Sequence, residues 1–376
     1  MDLSDNVPAD SGAALTDVHF VGQQGWISAC RSQDSGAIFH TTDGGATFTT
    51  TYVGTGCNSL FMLDGLQGYT CGTSGLVYRT TDGGSDWTYH GSAGQTATSI
   101  HFPPSSDTGY CCGLGGEICL VVPEGVVRMT SGTSEDLSSV WFPVTAAEGW
   151  VCGTNTILHF SGGEWRADQV FPAGNYNSLC MFNNRLGWAV GEQGLMIRTS
   201  FGDSWREMYN PDSLERAQHD VFFHTDANYG WIVGDSGLIL LSIDGGRWWR
   251  IRAPGLSSEA LRGVFSTGPD EVYAVGDNGT FLKYTSGGGT EETPRFEGGT
   301  PARTTVMRGV IEIDAVDGSR ETADCEELLD IAGRNVMDLR PGPNDVRHVA
   351  AGVYFVGGPK TGDRKPSNVR KVVINQ

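Results

Sequence analysis

The chain has 376 residues and a formal net charge of −19, and only 18% of its residues are charged. No run of 18 apolar residues occurs, so the sequence predicts no transmembrane segment. Residues 1–289 contain 13 Lys and Arg against 30 Asp and Glu. Because such a surface repels phosphate backbones, we exclude nucleic acid as a partner.

A glycine followed by an aromatic residue recurs through residues 1–289, and the aromatic residue returns every 38 to 43 positions. Short apolar runs and Gly-rich turns lie between the repeats. A period near 40 with this pattern is typical of one four-stranded sheet per repeat, and such sheets stack radially. We therefore predict an all-β chain whose residues 1–289 form a seven-bladed β-propeller. The anchors are Gly25-Trp26, Gly68-Tyr69, Gly109-Tyr110, Gly149-Trp150, Gly187-Trp188, Gly230-Trp231 and the degenerate Val272-Tyr273.

Each repeat is predicted to turn between its third and fourth strands through an Asp-Gly-Gly sequence, which is complete at Asp43, Asp82 and Asp244. An aspartate at the start of a turn accepts backbone N–H bonds, and the glycines supply backbone angles closed to other residues. A later aromatic residue is expected to fold back over the turn. We assign that position to Trp87, Trp205 and Trp248. We interpret the aspartates as structural rather than as metal ligands or catalytic acids.

These turns resemble the Asp box of BNR-repeat propellers. The running pattern of Gly-Trp-x-x-Gly, Gly-x-Ile-x-Arg-Thr and Asp-Gly-Gly is similar to Ycf48-like repeats of photosystem II assembly factors and their bacterial relatives. The resemblance covers residues from about 15 to 289 and implies the propeller fold. Similar propellers serve as hydrolases, lectins and scaffolds, so it leaves the function open.

Two sets of residues are candidates for binding at a propeller rim. The turns before the third strands carry Glu192, Asp235 and Asp277, which up-and-down strands bring to one rim near the channel mouth. The third strands carry cationic residues at a repeated position, among them Arg79 and Arg198. The simpler interpretation is that the acids cap tight turns and the arginines lie over neighbouring strands.

The nine cysteines do not predict disulfides or a metal site. Cys71, Cys112 and Cys152 occupy a repeat position that Val190 and Val233 fill in other blades, so they are expected to be small buried residues with free thiols. No Cys-x-x-Cys is present, and we expect no metal and no cofactor.

The chain changes character after Gly289. Residues 290–302 are interpreted as a linker, and residues 303–376 as a small Ig-like β-sandwich. The seventh blade lacks a clear outer strand, which we assign to the segment just after Gly289, with the N-terminal segment 1–14 as the alternative. Residues 326–374 resemble C-terminal sorting domains of type IX-like secretion. That resemblance implies a bacterial extracellular or cell-surface protein.

The sequence favours a non-enzymatic binding or scaffold propeller with a protein or glycan partner at its rim. Its C-terminal module could also self-associate by β-augmentation, which would give a homo-oligomer or filament. The alternative is a glycan-directed, sialidase-like hydrolase with an acidic rim site. Sialidases need converging arginines that grip a carboxylate, and the arginines here follow the repeat instead. No catalytic residue is therefore assigned.

Overall fold

The structure is a computed structural model that describes residues 1–8, 13–224, 228–253 and 255–285, with the backbone alone at 169 and 171. Beyond residue 285 it describes the backbone of seven strands. The chain divides into two compact units, Met1–Gly287 and Gly288–Gln376.

The first unit consists of seven antiparallel sheets, here called blades 1 to 7, each made of consecutive strands. Blade 5 gains a fifth strand, β17, which pairs in parallel with its outer strand. The bounds are, in blade 1, β1 Ala14–Val21, β2 Gln24–Ser32, β3 Ser35–Thr41 and β4 Thr49–Val53; in blade 2, β5 Cys57–Met62, β6 Gly68–Gly72, β7 Leu76–Thr80 and β8 Thr88–Ser92; in blade 3, β9 Ala97–His101, β10 Gly109–Gly113, β11 Ile118–Val122 and β12 Gly125–Met129; in blade 4, β13 Leu137–Trp141, β14 Gly149–Gly153, β15 Thr156–Ser161 and β16 Glu164–Ala167; in blade 5, β17 Gln169–Phe171, β18 Tyr176–Met181, β19 Gly187–Gly191, β20 Met196–Thr199 and β21 Ser204–Glu207; in blade 6, β22 Gln218–Phe223, β23 Gly230–Gly234, β24 Leu238–Ser242 and β25 Arg250–Ile251; and in blade 7, β26 Leu261–Gly268, β27 Glu271–Gly276 and β28 Phe281–Thr285.

The innermost strands of the blades close into one ring. Each of β1, β5, β9, β13, β18 and β22 contacts the first strand of the next blade, and β26 contacts β1. The seven-bladed propeller predicted from the repeat is confirmed. The upper rim is the rim that carries the turns between second and third strands, and the lower rim carries the Asp-Gly-Gly turns.

The N-terminal segment supplies the outer edge of blade 7. The nitrogen of Met1 donates to the carbonyl of Lys283 at 2.8 Å, and Lys283 donates back to Met1 at 2.9 Å. The Leu3 N–H donates to Phe281, and Asp2 bridges to Leu282 in antiparallel sense. The preference for the segment after Gly289 is therefore corrected, because these backbone groups of β28 are already bonded to Met1–Leu3.

The Gly-aromatic anchors are explained by contacts between blades. A side chain on glycines 25, 109, 149 or 230 would collide with the phenylalanine near the end of the first strand of the same blade. That phenylalanine stacks on the anchor aromatic of the preceding blade, with centroids 3.7 Å apart for Tyr110 and Phe142 and 3.5 Å apart for Trp188 and Phe223. The glycine makes room for the ring, and the ring joins two blades.

The anchor tryptophans also contact the Asp-Gly-Gly turn of the following blade. Trp26 Nε1 donates to Gly83 O, and Trp150 Nε1 donates to Gly202 O, each at 2.8 Å. Within the turns, Asp43 Oδ1 accepts the N–H groups of Ala46 and Thr47 at 3.0 and 2.9 Å. Asp244 accepts two corresponding bonds, and Asp82 accepts the N–H of Asp86. These bonds support the structural interpretation of the three aspartates.

The aromatic residue of the blade 6 turn is Trp249 and not Trp248, which corrects the sequence assignment. Trp248 is 52% exposed, whereas Trp249 is 4% exposed and packs edge-on against Phe223. Trp249 is five residues after Asp244, the spacing that also separates Asp82 from the half-buried Trp87. Trp205, in the degenerate turn of blade 5, is buried as expected.

The eight described cysteines are all free, including Cys71, Cys112 and Cys152 at the repeat position. Seven of them are buried, and Cys30 is half-buried. Burial raises the pKa of the Cys57 thiol to about 12, so such thiols stay protonated at neutral pH.

The second unit contains a five-stranded sheet in the order β29-β35-β34-β31-β32 and a two-stranded sheet of β30 and β33. The Ig-like β-sandwich interpretation of residues 303–376 stays a prediction. The linker at 290–302 lies outside the described residues. The bounds are β29 Thr305–Met307, β30 Val310–Ile313, β31 Glu326–Leu329, β32 Asn335–Leu339, β33 Gly342–Asp345, β34 Gly352–Gly357 and β35 Arg370–Ile374.

Candidate functional site

The upper rim carries the three predicted acids at one structural position in blades 5, 6 and 7. Glu192, Asp235 and Asp277 each begin a single 3₁₀ turn. The second residue of the blade 6 turn, Ser236, has a φ of 52°, so the backbone reverses within three residues. These acids therefore lie at the same end of three neighbouring blades, and their role in binding stays a prediction.

Each of these acids is bonded to a residue on the first strand of its own blade. Glu192 Oε1 accepts a bond from Asn177 at 2.9 Å, and Asp235 Oδ1 lies 2.8 Å from His219 Nε2. Asp277 forms a two-bond ion pair with Arg262, at 2.5 and 2.8 Å. A forked guanidinium–carboxylate pair is held in a fixed geometry and is suited to positioning rather than proton transfer.

The partners of these acids stand at the β-bulges that begin the first strands. In blades 1, 2, 3 and 5 the bulge side chain donates to a carbonyl of the next blade at 2.7 to 2.9 Å; the donors are Thr16, Asn58, Thr98 and Asn177. In blades 6 and 7 the bulge residues His219 and Arg262 bond to the turn acids instead. Bulge side chains that pair with a turn acid therefore occur in blades 5 to 7.

A cleft of about 830 Å³ lies on the upper rim where the chain enters and leaves blade 5. Glu192 lines it together with Glu207, Glu215, Met208 and Tyr209, and we call this site the acidic cleft. Asp235 and Asp277 do not line it. Glu207 ends an outer strand and Glu215 lies in a connecting loop, so no repeat pattern drew attention to them.

Arg79 and Arg198 lie at the lower rim, away from the three acids, so the structure does not unite the predicted candidates. The Arg79 guanidinium stacks over Tyr69 at 5.6 Å and donates to Gln67. Arg198 stacks over Trp188 at 6.0 Å. Both arginines pack on the anchor aromatic of their own blade, which is a structural role.

The central channel contains a second set of polar groups, one residue in each of blades 1 to 6. Each side-chain oxygen accepts the backbone N–H of the next blade's first strand at 2.8 to 3.4 Å. Blade 7 has Gly263 at this position, so it offers no side-chain acceptor to the Val18 N–H of blade 1. Asp17 Oδ1, in blade 1, accepts that N–H instead. We call this set the polar belt; its members are Asp17, Ser59, Ser99, Ser139, Ser178 and Asp220.

The two carboxylates of the polar belt are half-buried and line the central channel. Burial raises the pKa of Asp17 to about 7, and the neighbouring charge of Asp220 adds to the rise. Burial likewise raises the pKa of Asp220. Both effects disfavour negative charge here, so the channel would gain from a positive group close to these residues.

Among the described residues, no group of three His, Cys, Asp or Glu side chains is arranged to hold a metal ion. None of the described helices is long and apolar enough to cross a membrane. The geometry supports recognition of a ligand by acids and aromatic rings.

Comparison with known proteins places the fold of the first unit. No protein-family model matches the sequence, and no curated protein matches it. Among solved structures, YCF48 bound to D1 peptide superimposes with a TM-score of 0.61 at 17% identity, over 75% of this chain and 94% of that one. YCF48 from Cyanidioschyzon merolae gives 0.59 at 16%, over 74% and 98%. The RRP9 WD40 repeats give 0.61 at 9%, over 73% and 94%. The chain therefore shares its propeller fold with YCF48 and with a WD40 protein.

Proposed function

We propose that this protein is a non-enzymatic binding propeller that holds a protein partner at the acidic cleft. The observation that carries the proposal is the meeting of Glu192, Glu207 and Glu215 in one cleft beside Tyr209. Acids concentrated in a concave site favour a cationic partner segment and speed its association. A chain with Lys or Arg residues in an extended stretch fits this chemistry.

The neighbouring acids of blades 6 and 7 extend the same surface. Asp235 and Asp277 repeat the position of Glu192, and each is already held by a basic side chain. They orient the rim and can accept further bonds from a partner. YCF48 is described in one solved structure as bound to D1 peptide, which supports a peptide-binding role for a propeller of this fold.

The test is a binding measurement with peptides. Fluorescence anisotropy would compare Lys- and Arg-rich peptides with acidic peptides of the same length. The variant Glu192→Gln/Glu207→Gln/Glu215→Gln keeps the size of each side chain and removes its charge. We expect it to weaken binding of basic peptides at least about tenfold, since each interfacial charge pair contributes about 1 kcal/mol.

The matched control removes three exposed acids from the lower rim, as Asp86→Asn/Glu124→Gln/Asp203→Asn. It changes the net charge equally and should leave affinity within about twofold. If both triple variants lose affinity for basic peptides equally, the effect comes from overall charge and not from the acidic cleft. If the wild type does not bind basic peptides, the proposal is refuted.

The glycan-directed hydrolase remains the second candidate, because glutamates and Tyr209 share the acidic cleft and paired carboxylates carry out glycoside hydrolysis. A sialidase-type site is disfavoured, since Arg79 and Arg198 stack at the other rim. Release of sugars from a glycan panel by the wild type, abolished in the triple Gln variant, would favour this candidate.

We further propose that the protein is exported to the surface or exterior of a bacterium. The proposal is supported by the resemblance of residues 326–374 to type IX-like sorting domains. We also propose that the Asp-Gly-Gly turns are Asp boxes, because they resemble the turns of BNR-repeat propellers. Self-association through the second unit belongs to this proposal. Fusing residues 303–376 to a reporter in a host with that secretion route tests it; a reporter that stays inside the cell contradicts it.

A further inference from the structure

The central channel holds a cavity of about 800 Å³ that is lined by the first strands and by residues of the lower rim, among them Leu63, Pro103 and Pro143. The bulge residues of the upper rim do not line it. The cavity therefore reaches from the lower rim into the channel as far as the polar belt, and it is separate from the acidic cleft.

Six aromatic side chains form a closed circle in this cavity. Neighbouring ring centroids lie 4.5 to 6.2 Å apart, and the last ring contacts the first. Blade 5 contributes Cys180 at this level instead of a ring. In a regular hexagon, each corner lies as far from the centre as from its two neighbours. The ring centroids therefore lie about as far from the channel axis as from each other, and a group a few ångströms across fits between them. We call this circle the aromatic belt; its members are His19, Phe61, His101, Trp141, Phe222 and Phe265.

The aromatic belt lies next to the polar belt, on the side of the lower rim. Each of its residues follows a polar-belt position, or Gly263, by two along the strand, which corresponds to a rise of about 6.6 Å. Asp17 and Asp220 therefore line the channel on the upper-rim side of the rings. Aromatic faces carry partial negative charge, and together with two carboxylates they attract a cation.

The two imidazoles of the aromatic belt are neutral and do not repel a cation. His19 Nδ1 accepts the Met62 N–H at 3.0 Å, and His101 Nδ1 accepts the Phe142 N–H at 3.3 Å. Each ring therefore keeps its proton on Nε2. Burial lowers the pKa of His19 to about 4 and that of His101 to about 3, so neither is charged at neutral pH.

The Nε2–H groups offer a second point of recognition. Within the described residues neither Nε2 has a hydrogen-bond partner, although His101 is only 7% exposed. Neither nitrogen is among the fully buried side-chain atoms that lack a partner, so each Nε2–H reaches the cavity, where water or a ligand can accept from it. An oxygen atom of a ligand held in the aromatic belt would satisfy it.

Other ligand classes fit less well. An anion would face two carboxylates, and a metal ion lacks a set of three ligating side chains among the described residues. A purely apolar ligand would not balance the carboxylate charges and would not accept from the Nε2–H groups. The surroundings suit a charged, weakly hydrated group with an apolar surface.

We propose that the channel binds a small quaternary ammonium compound, with its alkyl groups inside the aromatic belt and its charge facing Asp17 and Asp220. A hydroxyl or carboxylate oxygen on the same ligand accepts from His101 Nε2. The site is independent of the proposed function at the acidic cleft.

Isothermal titration calorimetry of the full chain at mildly alkaline pH tests this site. The probes are choline, tetramethylammonium and 3,3-dimethylbutanol, the last being the uncharged carbon analogue of choline. We expect choline to bind with one-to-one stoichiometry, tetramethylammonium to bind more weakly because it lacks the oxygen, and the alcohol to bind at least about tenfold more weakly than choline.

Two variants locate the site. Phe265→Leu removes one aromatic face, and Asp17→Asn removes one charge while keeping an oxygen acceptor. Each substitution should weaken the binding of choline about tenfold. Phe201→Leu, at a 75% exposed position on the lower rim, is the matched control and should change nothing. The triple Gln variant of the acidic cleft should also bind choline normally, which separates the two proposals.

The proposal is overturned if the folded wild type binds neither cation, or if the alcohol binds as tightly as choline. It is also overturned if Phe265→Leu and Asp17→Asn both fold, as judged by circular dichroism, and both keep wild-type affinity. Should Asp17→Asn fail to fold, Phe265→Leu decides alone.

Discussion

Trp26 Nε1 in blade 1 donates a 2.8 Å hydrogen bond to the carbonyl of Gly83 in blade 2. The bond joins the two elements of the sequence repeat, the Gly-aromatic anchor and the Asp-Gly-Gly turn, across a blade boundary. Trp150 and Gly202 repeat it between blades 4 and 5. The repeat is therefore a description of how one blade attaches to the next.

Replacing Trp26 should destabilise this boundary. Trp26 is fully buried, and Trp26→Phe would lose the indole bond and leave the Gly83 carbonyl unsatisfied. We expect the free energy of unfolding to fall by about 1–2 kcal/mol, and by about 3–5 kcal/mol in Trp26→Ala. Urea titration measures it. Trp248→Phe, at a half-exposed site, is the control and should change stability by about 0.5 kcal/mol or less; equal effects at both positions would contradict the role of the bond.

The N-terminal latch should matter more for stability than the chain after residue 289. Deleting residues 1–8 exposes the edge of β28 and removes Leu3 and Val7 from the core of blades 7 and 1. We expect a loss of about 3 kcal/mol or more, from several hydrogen bonds and two apolar side chains. Calorimetry would show a lower melting temperature for the propeller transition. A truncation after residue 289 should leave that transition in place, and the reverse pattern would contradict the latch.

The sequence predicted the ring because every blade needs the same contact. The glycine of each anchor must admit a ring or a methionine from its own first strand, and the aromatic residue must reach the next blade. Those demands keep the spacing near 40 residues. The latch could not be found in the same way, because Met1–Leu3 is too short to show an alternating pattern and pairs with residues some 280 positions away.

The sequence predicted only part of each candidate site. Glu192, Asp235 and Asp277 were found because they repeat a turn position, whereas Glu207 and Glu215 come from segments that do not repeat. The aromatic belt did leave a signal, since first strands in five of its six blades read polar, apolar, aromatic, as in Ser59-Leu60-Phe61. A period of two on an innermost strand of a propeller points every second side chain into the channel.

The polar belt should contribute to the closure of the ring. Ser59 Oγ donates to Asp17 at 2.8 Å and accepts the Ile100 N–H at 3.3 Å, so it serves two blade boundaries at once. Ser59→Ala should lower the free energy of unfolding by about 1–3 kcal/mol, because a buried N–H loses its acceptor. Ser138→Ala, on the first strand of blade 4 outside the belt, is the control. Denaturant titration that gives the same value for both would argue against the belt.

The free thiols should react in the order of their exposure. Cys30 is the half-buried member of the eight described cysteines, whereas the other seven are buried. Because the reagent must reach the sulfur before it can react, a brief maleimide pulse should label Cys30 before those seven. Peptide mass spectrometry identifies each site and scores Cys325 separately. Rapid native labelling at Cys111 or Cys152 would show that the blade interfaces open more readily than this packing implies.

The channel also makes stability depend on pH, with two opposing contributions. His101 has a pKa of about 3 when folded against 6.5 for the free side chain, so its neutral form is fully tolerated above pH 6.5. As the pH falls below 6.5, the unfolded chain binds the proton before the folded protein does. The free energy of unfolding is therefore lower by about 2 kcal/mol at about pH 5. His19 acts in the same direction. Asp17, raised from 3.8 to about 7, acts oppositely: its contribution is favourable below pH 3.8 and is lost as the pH rises towards 7.

Variants separate the two contributions. His101→Phe should flatten the loss of stability on acidification from pH 7 to 5, although the Phe142 N–H loses its acceptor and stability at neutral pH falls slightly. Asp17→Asn should make the same loss steeper, because the compensating carboxyl is gone. Urea titrations at several pH values give these slopes. Parallel pH profiles for the wild type and both variants would mean that the channel groups titrate as they do in the unfolded chain, and the burial of the aromatic and polar belts would then be contradicted.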